Sequence, residues 1–318
     1  MTTSLVVKNT FICAIGGEDP SPLSCRMRKA WTETTASRCA NDEVVAPSAW
    51  TEGCGVSAAP VAPVCERVCL EDGAQDLRRA IAAGGRAVAL NVLEELAGHI
   101  CQVAMSLHGG PVLEDIVGLV AAGEAAPITR ELLSQADRIG TNAHSAAVLC
   151  RLLEHASNEA HVEALFDAVL AGDVAVLCCH KFGYEVAVSI MSNGAARHQR
   201  AVAVAMFADE QRFARHRFAS LVIAQSLLFR PVAECTKLAS CFLLGNPGLA
   251  SLACHKFGKA VVRTLLDDAR FKPQVVGLLV AAGKKVAKDR FGRALLVEAG
   301  LALEGGLPAA ASLVIAGA

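Results

Sequence analysis

The segment Cys179–Val186, CHKFGYEV, returns as Cys254–Val261, CHKFGKAV. Two further copies, HRFASLV (216–222) and DRFGRAL (289–295), share its pattern, and NAHSAAV (142–148) and SLHGGPV (106–112) are weaker versions of it. Aligned on the small residue before the last three, the copies fall at Gly109, Ser145, Gly183, Ala219, Gly258 and Gly292. The steps between these anchors are 36, 38, 36, 39 and 34 residues. Self-similarity at such a period constrains the fold more than any other feature. Each unit is too short to bury its own apolar face, so neighbouring units must stack into a solenoid of two or three helices per repeat.

The residues between anchors agree with this. An amphipathic stretch precedes each anchor by about twenty residues, as in HVEALFDAVLAGDVAVLCC and FKPQVVGLLVAAGKKVAK. A second helix starts near the anchor with apolar residues at i, i+4 and i+8: Phe182, Val186 and Ile190, then Phe257, Val261 and Leu265. That spacing keeps one helix face toward a core. The helical period is visible upstream at Leu77 and Ile81, at Val88, Val92 and Leu93, and at Val112, Ile116, Val117 and Val120. Hydrophobic residues make up 53% of the chain but aromatic ones only 4%, which suits close-packed helices better than β-sandwiches. An all-α chain is therefore expected.

Residues 1–75 differ. They are rich in Ser, Thr, Pro, Ala and Gly, without a sustained apolar period, and are expected to form a disordered leader, although six cysteines and both tryptophans lie there. The helical repeat domain is expected over 76–318. The thirteen cysteines are odd in number and show no CxxC pair, which fits buried free thiols in a reducing compartment rather than a disulfide framework. No apolar run reaches the roughly 18 residues a membrane span needs, and no signal sequence opens the chain. A soluble intracellular protein is expected, without membrane contact.

The repeated Cys-His pair raises two chemical alternatives. His180, His216 and His255 stand two residues before a Phe, and Asp289 holds that place in the last copy. Equivalent positions in stacked repeats lie about 10 Å apart, whereas a metal needs donors about 2 Å from one centre. Adjacent Cys and His side chains also diverge by about 100° around a helix. No third orienting group accompanies them, so nucleophilic catalysis is not indicated. The Gly-Gly pairs at 16–17, 84–85, 109–110 and 305–306 lack any phosphate-cradling context and read as helix breaks. No enzyme activity, metal or cofactor is expected. A polar turn residue kept by the repeat explains the His better.

The pattern x-(Lys/Arg)-Phe-(Gly/Ala)-x-x-Val, opening a second helix at about 36-residue steps, resembles the Pumilio (PUF) repeat, over about two-thirds of the chain (residues 86–300). Residues 77–87 resemble the remnant of one more unit. The resemblance implies an armadillo-like α-solenoid of PUF-like repeats in which one RNA base is read per repeat on a concave face. It places the reading residues first, second and fifth after the anchor. Those positions hold Gly110, Pro111 and Glu114; Ala146, Ala147 and Cys150; and Tyr184, Glu185 and Val188. In the later units they hold Ser220, Leu221 and Ala224; Lys259, Ala260 and Arg263; and Arg293, Ala294 and Val297. No unit carries a full set of edge-reading and stacking residues, so weak sequence preference is expected.

The implied partner is single-stranded RNA, as mRNA bound in its 3′ UTR during post-transcriptional regulation or RNA processing. The expected contacts are Tyr184 as a stacking platform, Ser220 through a hydrogen bond, Glu185 as a further contact, and Lys259, Arg263 and Arg293 holding the strand. Lys181, Arg217, Lys256 and Arg290 share one repeat position and form a basic row, readable as a phosphate track or as a solvated turn position. The net charge of −1 gives no whole-chain sign of nucleic-acid binding. That favours the alternative, a protein-interaction scaffold of armadillo type that no longer reads RNA. A monomer is expected, in the cytoplasm or alternatively the nucleolus, with protein partners on the convex face.

Overall fold

The computed structural model describes residues 63–228, 233–244 and 248–301, all within one compact unit. Its regular structure is entirely helical there. The expected leader lies outside the described residues up to position 62. From Val64 onward the chain is helical, with Val64–Arg67 followed by Glu71–Glu95, so helix begins before residue 76.

Each complete repeat has three helices: a leading helix, a short linking helix and an anchor helix. In the fourth repeat these are Ala160–Val169, Val174–Cys179 and Gly183–Asn193. The fifth has Ala196–Phe207, Glu210–Phe213 and Ala219–Leu228, and the sixth has Ala233–Leu244, Gly248–Ala253 and Gly258–Asp267. The seventh has Lys272–Ala281, Gly283–Lys288 and Arg290–Glu298, and the third Ala126–Leu133, Ala136–Ile139 and Ser145–Ala156. The long amphipathic stretches expected before each anchor are thus two helices, not one. In the fourth repeat the break falls at Gly172–Asp173, where the Asp173 carboxylate accepts from the amides of Ala175 (2.9 Å) and Val176 (3.1 Å) and starts a new helix.

The helix Glu71–Glu95 joins two units. Gly85, at φ 61°, bends it out of helical geometry. This is a left-handed conformation that glycine adopts without a Cβ penalty. Residues 86–95 are the leading helix of the second repeat, which continues with Ile100–Met105 and Gly109–Leu119. Residues 71–84 are the anchor helix of a first, partial repeat, preceded by the linking helix Val64–Arg67. Its anchor is Gly73, 36 residues before Gly109. The remnant suggested by residues 77–87 is therefore a real unit that starts earlier, and the described residues hold seven anchor helices.

Those seven helices stack in chain order, each against the next, as an α-solenoid. The apolar stripes face the shared core: Ile116, Val148, Leu152, Val186, Ile190, Val222, Val261 and Leu265 are at most 1% exposed. Each such side chain contributes up to about 1.5–3 kcal/mol by leaving water. Polar contacts keep the same register. Arg78 pairs with Asp115, Arg86 with Glu124, and Arg215 donates to Ser251 at 3.1 Å, over separations of 37, 38 and 36 residues. No helix of the described residues is long and apolar enough to cross a membrane.

Candidate functional site

The turn into each anchor helix determines which side chains face outward. A Cβ on the anchor would meet the carbonyl oxygen six residues earlier, at 2.5 Å for Gly183 (Leu177) and 2.7 Å for Gly258 (Leu252). At Ser145 the hydroxyl instead donates to that same carbonyl, of Ile139, at 2.8 Å. The small residue is required because linking and anchor helices touch there, backbone to side chain.

Three residues before the anchor sits the group that caps the helix. His180 Nδ1 accepts from the amides of Phe182 (3.3 Å) and Gly183 (3.4 Å). His216 does the same for Phe218 and Ala219, and His255 for Phe257 and Gly258, all at 3.3 Å. Asp289 Oδ1 takes this role in the seventh repeat, at 2.8 and 3.0 Å, and Asn142 in the third, at 2.9 and 3.2 Å. These are N-caps satisfying amides that a helix start leaves without partners. Burial lowers the pKa of all three histidines, with Arg212 adding to the effect at His216 and Arg215 at His255. The neighbouring Cys179 and Cys254 thiols are pushed up by burial, away from the reactive thiolate. The Cys-His pair is thus a helix cap beside a half-buried thiol. Among the described residues no three His, Cys, Asp or Glu side chains converge on a metal-sized centre.

The six residues expected to contact RNA fall into two groups. Tyr184 and Ser220, directly after their anchors, are buried, at 7% and 1% exposure. These are the residues expected to meet RNA as a stacking platform and a hydrogen-bonding group. The position faces the next repeat, and the Tyr184 ring stacks on Phe218 with centroids 5.2 Å apart and planes 22° apart. Ser220 has too little exposed surface to offer its hydroxyl to a strand. Gly110 and Ala146, at the same position, are also buried. Glu185 is half-buried and accepts from the Tyr184 hydroxyl at 3.2 Å.

The second group clusters at the C-terminal end. Lys259 also follows its anchor, but its long stem carries the ammonium out over the Phe291 ring, 5.7 Å from the centroid. Arg263 is half-buried and donates through Nε to Glu298 at 2.9 Å. Arg293 is exposed. With Arg290, Ala294, Val297 and Glu298 it lines an open cleft of about 520 Å³. Lys259, Arg263, Arg290 and Arg293 therefore share the last two anchor helices and the turns into them.

The basic row runs along the turns. Lys181, Arg217, Lys256 and Arg290, two residues before their anchors, each lie over the ring of the following Phe, at 5.0, 5.3, 5.4 and 4.3 Å from its centroid. The repeated basic-Phe pair was visible in sequence; the contact between its two side chains was not.

No family model matches this sequence, and no curated protein does. Solved structures do. A Puf4 RNA-binding domain bound to the HO endonuclease RNA 3′ UTR recognition sequence has a TM-score of 0.65 at 16% identity, covering 76% of both chains. A Puf3 RNA-binding domain bound to the Cox17 RNA 3′ UTR recognition sequence site A scores 0.67 at 12% identity, over 76% of this chain and 71% of that one. PUF-8 in complex with PBE-RNA scores 0.66 at 15% identity, over 74% and 70%. The chain has the helical-repeat solenoid fold of Pumilio-type RNA-binding domains.

Proposed function

We propose that this chain is an RNA-binding protein of Pumilio type, holding single-stranded RNA against its anchor helices with weak sequence preference. The observation that carries the proposal is the clustering of Lys259, Arg263 and Arg293 on the last two anchor helices, the first two half-buried and Arg293 exposed. The fold is shared with domains solved on RNA. Arginine can both stack on a base and pair with a phosphate, and lysine supplies a point charge. Glu185 is the remaining candidate for a base edge. Ala146, Ala147, Ala224, Ala260 and Ala294 offer neither donor nor acceptor, so contacts to backbone and ring faces outweigh edge reading. The process served is post-transcriptional regulation or RNA processing, without catalysis by this chain, in the cytoplasm.

The test is fluorescence anisotropy of the full chain with labelled random single-stranded RNA over a salt series. Log affinity is expected to fall linearly with log salt, by about 0.7 per neutralised phosphate. Arg263→Glu with Arg293→Glu is expected to weaken binding and flatten the slope. A folded chain that binds no RNA at low salt would sink the proposal. It would favour the scaffold reading, which has its own support in charged side chains that pair with each other between neighbouring anchor helices, as Arg78 does with Asp115 and Arg263 with Glu298.

A further inference from the structure

We infer that the RNA track is confined to the fourth to seventh repeats and follows the rim where their anchor helices begin, leaving the first three repeats outside the footprint. This rests on the RNA reading above and adds where the strand runs and how much of it is held.

The rim changes character halfway along the solenoid. Two residues before the anchor, the first three repeats carry Glu71, Leu107 and Ala143, and the last four carry Lys181, Arg217, Lys256 and Arg290. One residue before the anchor, the series is Asp72, His108 and His144, then Phe182, Phe218, Phe257 and Phe291. Leu107 is 61% exposed, so an apolar side chain stands where the later repeats present a cation. A phosphodiester strand meets an acid and two uncharged positions on one half, and a cation at every repeat on the other.

The later half is also organised to receive charge. Each cation rests over its Phe ring at 4.3–5.4 Å, which restricts the long side chain before any ligand arrives. Ordering a flexible side chain on binding costs free energy, and prior ordering reduces that cost. Lys181, Arg217 and Arg290 form no ion pair among the described residues, whereas Arg78 and Arg263, on the anchor helices, are held by Asp115 and Glu298. A phosphate approaching Arg263 must compete with a carboxylate; one approaching Lys181, Arg217 or Arg290 does not. Neighbouring helix axes are about 8–10 Å apart, so the row repeats at regular steps. That suits a polymer with one charge per monomer. At one base per helical repeat the footprint is about four nucleotides.

Anisotropy of the full chain with 5′-labelled oligouridylates of two to ten nucleotides tests this. Affinity is expected to rise steeply to four or five nucleotides and then to level off. Lys181→Gln and Lys256→Gln are each expected to lower the salt slope by about 0.7, with circular dichroism unchanged. Leu107→Lys with Ala143→Lys is expected to move the plateau toward six nucleotides, because the row then continues into the second and third repeats. Affinity that climbs evenly to seven or more nucleotides in the unmodified chain would overturn the inference. So would an unchanged slope in Lys181→Gln while RNA still binds. If polyglutamate of matched charge displaces the RNA as readily as unlabelled oligouridylate does, the track belongs to an acidic peptide instead. Absence of binding at every length would overturn the RNA reading itself, and the track with it.

Discussion

Acidification from pH 7.5 to 5.5 is expected to destabilise the repeats through three histidine caps acting together. His180, His216 and His255 each accept two backbone amides at Nδ1, so the folded chain needs that nitrogen unprotonated. Burial lowers all three pKa values below 6.5, and the positive charges facing them, Arg212 near His216 and Arg215 near His255, act in the same direction. A group whose folded pKa is depressed binds fewer protons folded than unfolded. Stability is therefore fully present above the unfolded value near 6.5, and it is lost as pH falls through the folded values. An N-cap is worth about 1 kcal/mol, so losing three removes about 3 kcal/mol. That is a large share of the 5–15 kcal/mol typical of a folded domain.

The seventh repeat supplies the control. Asp289 makes the same two bonds through a carboxylate, at 2.8 and 3.0 Å, and an ordinary aspartate stays ionised to about pH 4. The triple variant His180→Asp, His216→Asp and His255→Asp should keep the caps and lose the pH response. Urea midpoints by far-ultraviolet circular dichroism at pH 7.5, 6.5 and 5.5, at fixed ionic strength, measure the difference. The unmodified chain should lose midpoint steadily, and the triple variant should be much flatter. Some dependence remains in both, because His155 is also lowered by burial. Equal pH dependence in the two proteins, or a flat response in the unmodified one, would refute the cap assignment.

Three further outcomes follow from packing. Asp167 is held at a pKa of about 2 by Arg197 and then His198, and His198 is only 4% exposed with Nε2 2.7 Å from its carboxylate. Asp167→Ala should therefore cost about 1–3 kcal/mol in urea unfolding by orphaning a buried nitrogen, and Asp167→Asn, which keeps an acceptor, should restore much of that. Gly183→Ala should destabilise by about 1–3 kcal/mol, since its Cβ meets the Leu177 carbonyl at 2.5 Å. Gly123→Ala, with open space around it, should stabilise by about 0.4–1 kcal/mol.

The architecture was legible because it repeats. Every anchor identified by spacing, from Gly109 to Gly292, lies at or within the first turn of an anchor helix, and the stripes at Val186, Ile190, Val261 and Leu265 are buried as their period requires. Gly73 was not legible as an anchor, because Glu71 and Asp72 lack both the basic-Phe pair of the later copies and the His that stands before Gly109 and Ser145. Its role shows in the structure, where a Cβ on Gly73 would clash with the carbonyl oxygen of Arg67 six residues earlier and Arg78 pairs with Asp115 of the next anchor helix. The split of each long amphipathic stretch escaped for a similar reason. Apolar periodicity continues across Gly172–Asp173, and only the bonds from Ala175 and Val176 to the Asp173 carboxylate reveal the new start. The candidate site was the least legible part. Position after an anchor says which residue is on the helix, but neighbouring repeats decide which side of it is open.

Those same contacts tie the burial of the position after the anchor to the place of the cationic rim. Each Phe ring before an anchor can be covered from two sides. At Phe218 one partner is Tyr184 of the preceding repeat and another is Arg217 of its own. At Phe291 the partners are Lys259 and Arg290. One ring thus joins successive repeats and fixes the place of a cation. A residue after the anchor that packs well on this ring is withdrawn from any ligand, as Tyr184 is, unless its stem is long enough to carry a charge beyond the interface, as in Lys259. Good packing between repeats and base reading at that position are therefore opposed here. What the packing leaves exposed is charge at a regular step, the feature on which the proposed RNA track rests.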